Sequence, residues 1–187
     1  YVVADPSIPG SEAESKSVAA LYAQGGPSPL RPFGTKSELR STVGGHDLVH
    51  LSVHGVFDSA EPLFSYLKLK PDRSDDGKLT AAEMFGLPLQ GARLVVLSAC
   101  ESGKAGVTAG DEVVGMTRGL LYAGATSIMV WQWAVDPVAT SHWMQHFYGE
   151  AQRVPLAEAA RLAQVQLKSE PDYSHPRYWA AFRLVSR

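Results

Sequence analysis

The stretches DLVHLSV (residues 47–53) and RLVVLSA (residues 93–99) are two short apolar runs, and each leads into a residue that can do chemistry. The first run is followed by His54 and Gly55, and the second by Cys100 and Glu101. Runs of about 4 to 8 residues rich in valine and leucine predict strands buried in a parallel sheet. Parallel strands end at a common edge, and the loops there frame the crevice in which α/β proteins bind ligands. We therefore expect His54 and Cys100 to share that edge.

Composition narrows the class of protein. The chain has 187 residues, of which 45% are hydrophobic, and this predicts a single globular domain with a sizeable core. The net charge of -2 and the lack of a dense basic run argue against direct nucleic-acid binding. No stretch approaches the roughly 20 apolar residues of a membrane span, and no signal sequence is recognisable. We expect a cytoplasmic protein with no membrane partner.

Helical and extended segments alternate along the chain, which predicts an α/β fold with a mainly parallel central sheet and helices on both faces. Capping boxes begin at Thr35 and Thr80, where a threonine hydroxyl and a glutamate three residues later bond the first free amides of a helix. Strands are predicted at 1–4, 63–69, 126–130 and 179–185, and helices at 11–24, 112–123, 137–152 and 155–168.

A cysteine and a histidine at neighbouring strand ends are suited to nucleophilic catalysis. The thiolate is the reactive form of cysteine, and a nearby imidazole can take the thiol proton. The backbone amides of Gly55 and Cys100 are candidates to hold the oxyanion of the attacked carbonyl. Since Cys100 is the one cysteine of the chain, it cannot form an internal disulfide. The alternative is that Cys100 is an unreactive buried thiol, as free cysteines often are.

Five stretches of the chain resemble the CHAT domain, a caspase-like and separase-like group of clan CD cysteine peptidases: LVHLSVHGVFD (48–58), VVLSACESG (95–103), AGDEVVGMTRGLL (109–121), WAVDPVAT (133–140) and HPRYWAAFRLV (175–185). The resemblance implies a caspase-like three-layer α/β/α sandwich, with residues 1–187 as one peptidase domain. It also implies that His54 is the general base and Cys100 the nucleophile in the hydrolysis of a protein or peptide substrate. Family members often follow helical repeats of the tetratricopeptide type, so we expect a longer chain in which a repeat domain or a partner protein regulates activity.

Substrate selection depends on residues other than His54 and Cys100. Relatives that cleave after arginine or lysine hold the cation with a carboxylate, because a buried charge needs a partner. Asp136 is the first candidate for this role, and Glu101 and Asp111 come next. Asp136 could instead cap the helix that opens at Pro137. Trp133 is a candidate wall of the cleft.

Other histidines predict no metal site or cofactor. His142 and His146 have helical spacing on one face, but no third ligand is evident. His50 could orient His54, although its place near the middle of a strand favours a core role. Two alternatives to a peptidase remain at this point. One is a catalytically silent scaffold that binds partner proteins. The other is an ester hydrolase or redox-sensing thiol, for which a nucleophile elbow or a resolving cysteine is lacking.

Overall fold

The computed structural model describes residues 1–23, 28–58, 60–73, 75–98 and 111–187, with the backbone alone for residues 111–113. In this part of the chain the strands are β1 (Val2–Ala4), β2 (Leu30–Arg31), β3 (Leu48–Ser52), β4 (Gly55–Val56), β5 (Tyr66–Lys68), β6 (Lys78–Thr80), β7 (Leu94–Leu97), β8 (Ser127–Trp131) and β9 (Phe182–Ser186). Six of them form the central sheet, in the order β2-β1-β3-β7-β8-β9, and β4-β5-β6 form a smaller antiparallel sheet.

The central sheet is mainly parallel, as predicted. Strands β2, β1, β3, β7 and β8 run in one direction, and β9 pairs antiparallel with β8 at the edge. Every residue of β3 and β7 is buried, which explains why both are mainly apolar. Leu51 pairs with Leu97, and Ala4 pairs with Ser52. The carboxyl ends of β1, β3 and β7 therefore lie side by side.

Helices cover both faces of the sheet and complete the predicted three layers, consistent with a caspase-like fold. The helices are α1 (Ser11–Ala23), α2 (Lys36–Thr42), α3 (Ala81–Met84), α4 (Asp111–Tyr122), α5 (Pro137–Glu150), α6 (Leu156–Ser169) and α7 (Pro176–Trp179). One core holds buried residues of α2, α3 and α4, and the other holds those of α1, α5 and α6. Within the described ranges, no helix is both long enough and apolar enough to cross a bilayer.

Alternation along the strands assigns each side chain to one of these cores. In β7, Val95 and Leu97 belong to the core under α2, α3 and α4, whereas Leu94 and Val96 belong to the core under α1, α5 and α6. In β3, Val49 and Leu51 face the first core, so His50 and Ser52 face α1 and α5. Polar groups at these two strand ends are thus directed to the α1 side of the sheet.

Two predicted strands are shorter than expected. The segment 63–69 begins with a 3₁₀ turn at Pro62–Phe64, and β5 starts only at Tyr66. The segment 179–185 begins with the end of α7, and β9 starts at Phe182. Both turns carry a proline near their first position, where its fixed φ and missing amide favour a helical turn. Both capping boxes are confirmed at Thr35 and Thr80.

A charged cluster joins α2 to the small sheet. The buried Lys36 ammonium lies 2.8 Å from Asp75 Oδ2 and 3.0 Å from Glu83 Oε1, and it donates to the Lys78 carbonyl at 2.9 Å. The hydrogen bond from Lys36 lowers the pKa of Asp75. Burial acts to raise the pKa of Glu83, but bonds from Thr80 and Lys36 outweigh it and leave that pKa lowered. The cluster is therefore ionised and paired at neutral pH.

Candidate active site

His54 lies two residues beyond the end of β3 and is half-buried. Its Nε2 is 3.3 Å from Ser7 Oγ, and the Ser7 hydroxyl donates to Asp5 Oδ1 at 2.7 Å. Asp5 is buried just after β1, and its amide donates to the Ser52 carbonyl. Since the one hydroxyl hydrogen of Ser7 goes to Asp5, Ser7 can only accept from His54. This assigns the proton of a neutral His54 to Nε2 and leaves Nδ1 as its basic nitrogen.

A cavity of about 200 Å³ opens beside His54. Its apolar walls come from the loop before α1 and from the segment that leads into α5, and they consist of Ile8, Pro9, Val135 and Pro137. Its polar lining comes from the strand ends and two helices, and it consists of Ser11, Glu14, Ser52, Ser98 and Thr140 as well as His54. Ser98 follows β7 and precedes Cys100 by two positions. The cavity thus reaches both strand ends that the sequence singles out.

Glu14 of α1 is 5% exposed and is held by both of these strands. Its Oε2 accepts from the Ser98 hydroxyl at 3.3 Å. Its Oε1 lies 3.1 Å from His50 Nε2, within ion-pair distance but outside hydrogen-bond geometry. Glu14 Oε1 therefore has no hydrogen-bond partner among the described residues, and the same is true of Thr140 Oγ1.

His50 is fully buried and connects Glu14 to α5. Its Nδ1 is 2.9 Å from the Tyr148 hydroxyl. Burial, followed by the nearby Tyr22 and Glu14, raises the pKa of Tyr148 well above its ordinary value, so that hydroxyl stays protonated and donates to Nδ1. A neutral His50 then carries its proton on Nε2, toward Glu14. The core role that the sequence favoured for His50 is what the structure shows.

Of the predicted oxyanion and nucleophile residues, the structure describes Gly55 but not Cys100. Gly55 is buried at the start of β4, where it pairs with Leu67. Cys100 and Glu101 lie outside the described residues, and Asp111 starts α4 with its side chain undescribed. Their roles as nucleophile, oxyanion donor and cation partner stay predictions.

Asp136 caps α5, which is the alternative that the sequence left open. Its Oδ1 accepts from the amides of Val138 and Ala139 at 2.9 and 3.1 Å. Trp133 is 41% exposed and donates from Nε1 to the Arg177 carbonyl. Neither residue lines the cavity, although Val135 and Pro137 on each side of Asp136 do.

His142 and His146 bond the two carboxylate oxygens of Glu170 at 2.7 and 2.8 Å, a partner that the sequence did not reveal. Among the described residues, no group of histidine, cysteine, aspartate and glutamate side chains could hold a metal ion.

Comparisons with known proteins identify the class of domain. A family model described as "CHAT domain" matches residues 2–187. Tetratricopeptide repeat protein 28 from Mus musculus is 34% identical over 159 residues, which are 82% of this chain and 6% of that protein. The protein of the same name from Homo sapiens is 36% identical over 112 residues, which are 57% of this chain and 4% of that protein. The chain thus spans a small fraction of the length of these relatives.

Proposed function

The chain belongs to the CHAT-domain family, a caspase-like family, and from this premise we propose that it is a cysteine endopeptidase with Cys100 as nucleophile and His54 as general base. One observation carries the proposal. His54 stands at the rim of a cavity that is also lined by Ser98, the last described residue of the strand segment leading to Cys100. The cavity therefore lies at the sheet edge where α/β proteins bind ligands, beside a base and beside the segment that leads to the cysteine.

The contacts of His54 support its role as the base. Because Ser7 fixes the proton on Nε2, the free lone pair is on Nδ1, which is the atom that would take the thiol proton. Asp5 holds Ser7 through its side chain and also through the Ser7 amide at 2.9 Å. A base whose tautomer and ring plane are set beforehand loses less free energy to reorganisation during the reaction.

In the proposed reaction, Cys100 Sγ gives its proton to His54 and attacks the carbonyl carbon of the peptide bond. The amides of Gly55 and Cys100 stabilise the oxyanion. When the C–N bond breaks, the imidazolium protonates the leaving amine, and the acyl group remains on sulfur. Water then gives a proton to His54 while its oxygen bonds to the acyl carbon. The C–S bond breaks, the acid leaves, and the imidazolium returns the proton to Cys100 Sγ.

Regulation by repeats is a further part of the proposal. The two relatives are named for tetratricopeptide repeats, and repeats of that type form extended surfaces that bind proteins. We propose that a repeat domain or a partner protein controls access of the protein substrate to the site.

Alkylation of the single cysteine tests the dyad directly. The rate of reaction of Cys100 with iodoacetamide, measured by mass spectrometry from pH 5 to 9, should be high below pH 8 in the wild type. It should fall in His54→Ala, because the thiol then loses its base. His46→Ala is the matched control, since His46 precedes β3 at the opposite edge of the sheet and contacts the Tyr1 ring.

Cleavage of a peptide library by the wild type, and its loss in Cys100→Ala, would complete the test. Equal and slow alkylation in the wild type and His54→Ala, with no cleavage, would instead identify a catalytically silent scaffold.

A further inference from the structure

The carboxylate of Glu14 is buried, and its Oε1 lies within ion-pair distance of His50 Nε2. Among the described residues, no lysine or arginine pairs with it, and its neighbours are the Ser98 hydroxyl and the His50 ring. Buried carboxylates in proteins are normally paired, since removing the charge from water is costly. Oε1 also lacks a hydrogen bond. A buried carboxylate with one oxygen that makes no hydrogen bond is a group that a bound cation would complete.

The cavity next to Glu14 has the size and lining for one long side chain. Its volume of about 200 Å³ is below the roughly 300–1,000 Å³ of ordinary small-molecule pockets. Ile8, Pro9, Val135 and Pro137 offer apolar surface for an aliphatic stem. Lysine and arginine bury such stems against apolar surface while their charged ends bind polar groups.

The polar groups are placed to receive the end of such a side chain. Glu14 supplies the charge, and Thr140 adds a hydroxyl that has no hydrogen-bond partner in the described part of the chain. Both residues line the same cavity as His54. A side chain that enters the cavity therefore brings its own backbone next to the proposed general base.

We propose that Glu14 is the specificity-determining residue of this site and selects substrates with arginine or lysine immediately before the cleaved bond. This inference rests on the proposed peptidase function. It places the selection on α1, and not on Asp136, whose carboxylate already caps α5.

Cleavage kinetics test the proposal in the active protein. Matched peptides with arginine, lysine, citrulline or norleucine before the bond should show kcat/KM at least about 30-fold higher for the two cations, as expected for a desolvated charge pair. Citrulline has nearly the shape of arginine without its charge. Glu14→Gln should abolish the difference between arginine and citrulline, whereas Glu14→Asp should keep the preference with lower kcat/KM.

Glu12→Gln is the control for the loss of charge. Glu12 lies on the same helix, is exposed, and pairs with Lys16 at 3.3 Å away from the cavity. Its replacement should leave the preference unchanged.

Binding to Cys100→Ala separates this inference from the peptidase proposal. Calorimetry with the arginine and citrulline peptides should show at least about 30-fold tighter binding of arginine, and Glu14→Gln in the same background should remove that difference. If arginine is preferred in binding but the wild type cleaves nothing, the specificity site stands and the peptidase proposal fails. Equal binding of arginine and citrulline to Cys100→Ala would overturn the role of Glu14, and this comparison holds even if Glu14→Gln does not fold.

Discussion

Replacing Tyr148 with phenylalanine tests the buried polar chain beneath the candidate site. The change removes one hydroxyl, which donates to His50 Nδ1 at 2.9 Å, and leaves the ring in place. Phenylalanine can keep the ring contacts with Tyr22 and Phe147, so no large cavity forms. The cost is therefore that of the hydrogen bond and of the acceptor it leaves behind.

The expected loss is about 1–3 kcal/mol of the free energy of unfolding. A hydrogen bond between neutral groups contributes a net of about 0.5–1.5 kcal/mol, and a buried acceptor left without a partner costs about 1–3 kcal/mol. Both His50 and Tyr148 are fully buried, so water cannot replace the missing donor. The orphaned Nδ1 thus sets the magnitude.

Urea unfolding followed by circular dichroism measures this loss. Tyr122→Phe is the control, because Tyr122 is 78% exposed and should change stability by less than about 0.5 kcal/mol. A double-mutant cycle with His50→Leu should give a coupling energy of about 1 kcal/mol or more, since the two residues share one bond. If Tyr148→Phe is as mild as Tyr122→Phe, or if the two changes at His50 and Tyr148 are additive, the hydrogen-bonded chain described above is wrong.

Four further changes are predicted to act on the fold. Gly124→Ala should destabilise the fold by about 2–4 kcal/mol in urea unfolding, because φ is 115° and a Cβ would lie 2.7 Å from the backbone of Gln90. Gly149→Ala in α5 should instead stabilise it by up to about 1 kcal/mol, because a Cβ there would have no other atom within 4 Å. Lys36→Met should destabilise the fold at pH 7 and make stability depend less on pH in the acid range. The partners Asp75 and Glu83 have lowered pKa values, so their ion pairs with Lys36 stabilise the fold at neutral pH and are lost as the pH falls below the ordinary values of 3.8 and 4.5. An unchanged dependence of stability on pH between pH 5 and 2 would contradict this. Asp136→Ala should cost about 1 kcal/mol as a lost helix cap while leaving the cleavage preference unchanged, which library profiling can check.

Local signals in the sequence account for what it predicted correctly. Both capping boxes join residues only three positions apart, so neither depends on the rest of the chain. The buried strands β3 and β7 are mainly apolar runs, and the period of two places His50 and Ser52 on one face of β3. That both strands end at the same edge follows from the parallel sheet, which the alternation of helices and strands already predicts.

Contacts between segments far apart in the chain could not be predicted from the sequence. Ser7 and His54 are 47 positions apart, and nothing local in the sequence connects a serine after β1 to a ring after β3. The cavity is likewise assembled from the loop before α1, two strand ends and the start of α5. The sequence therefore offered Asp136, Glu101 and Asp111, and not Glu14, as carboxylates that could bind a cation of the substrate.

One signal for Glu14 was present. Glu14, Val18 and Leu21 have the i, i+4, i+7 spacing of a single helix face, and Val18 is a core residue. An acid on the apolar face of an amphipathic helix is a departure from the usual pattern, because charged residues normally lie on the opposite face. As one of two acids in the first turn of α1, Glu14 also has an ordinary interpretation as a residue that favours the helix dipole. Only the fold decides between these interpretations, since it shows the side chain facing the sheet.

The position of Glu14 also explains how a helix residue can serve as a specificity group. Ser98 reaches its Oε2 from the end of β7, and His50 approaches its Oε1 from β3, so the carboxylate has a contact from each of the two strands that lead to the proposed catalytic residues. A group held from both strands keeps its distance to both strand ends even if the surrounding loops differ. Selection at Glu14 would therefore be set by the rigid sheet, whereas selection by Asp136 would require giving up the cap that starts α5.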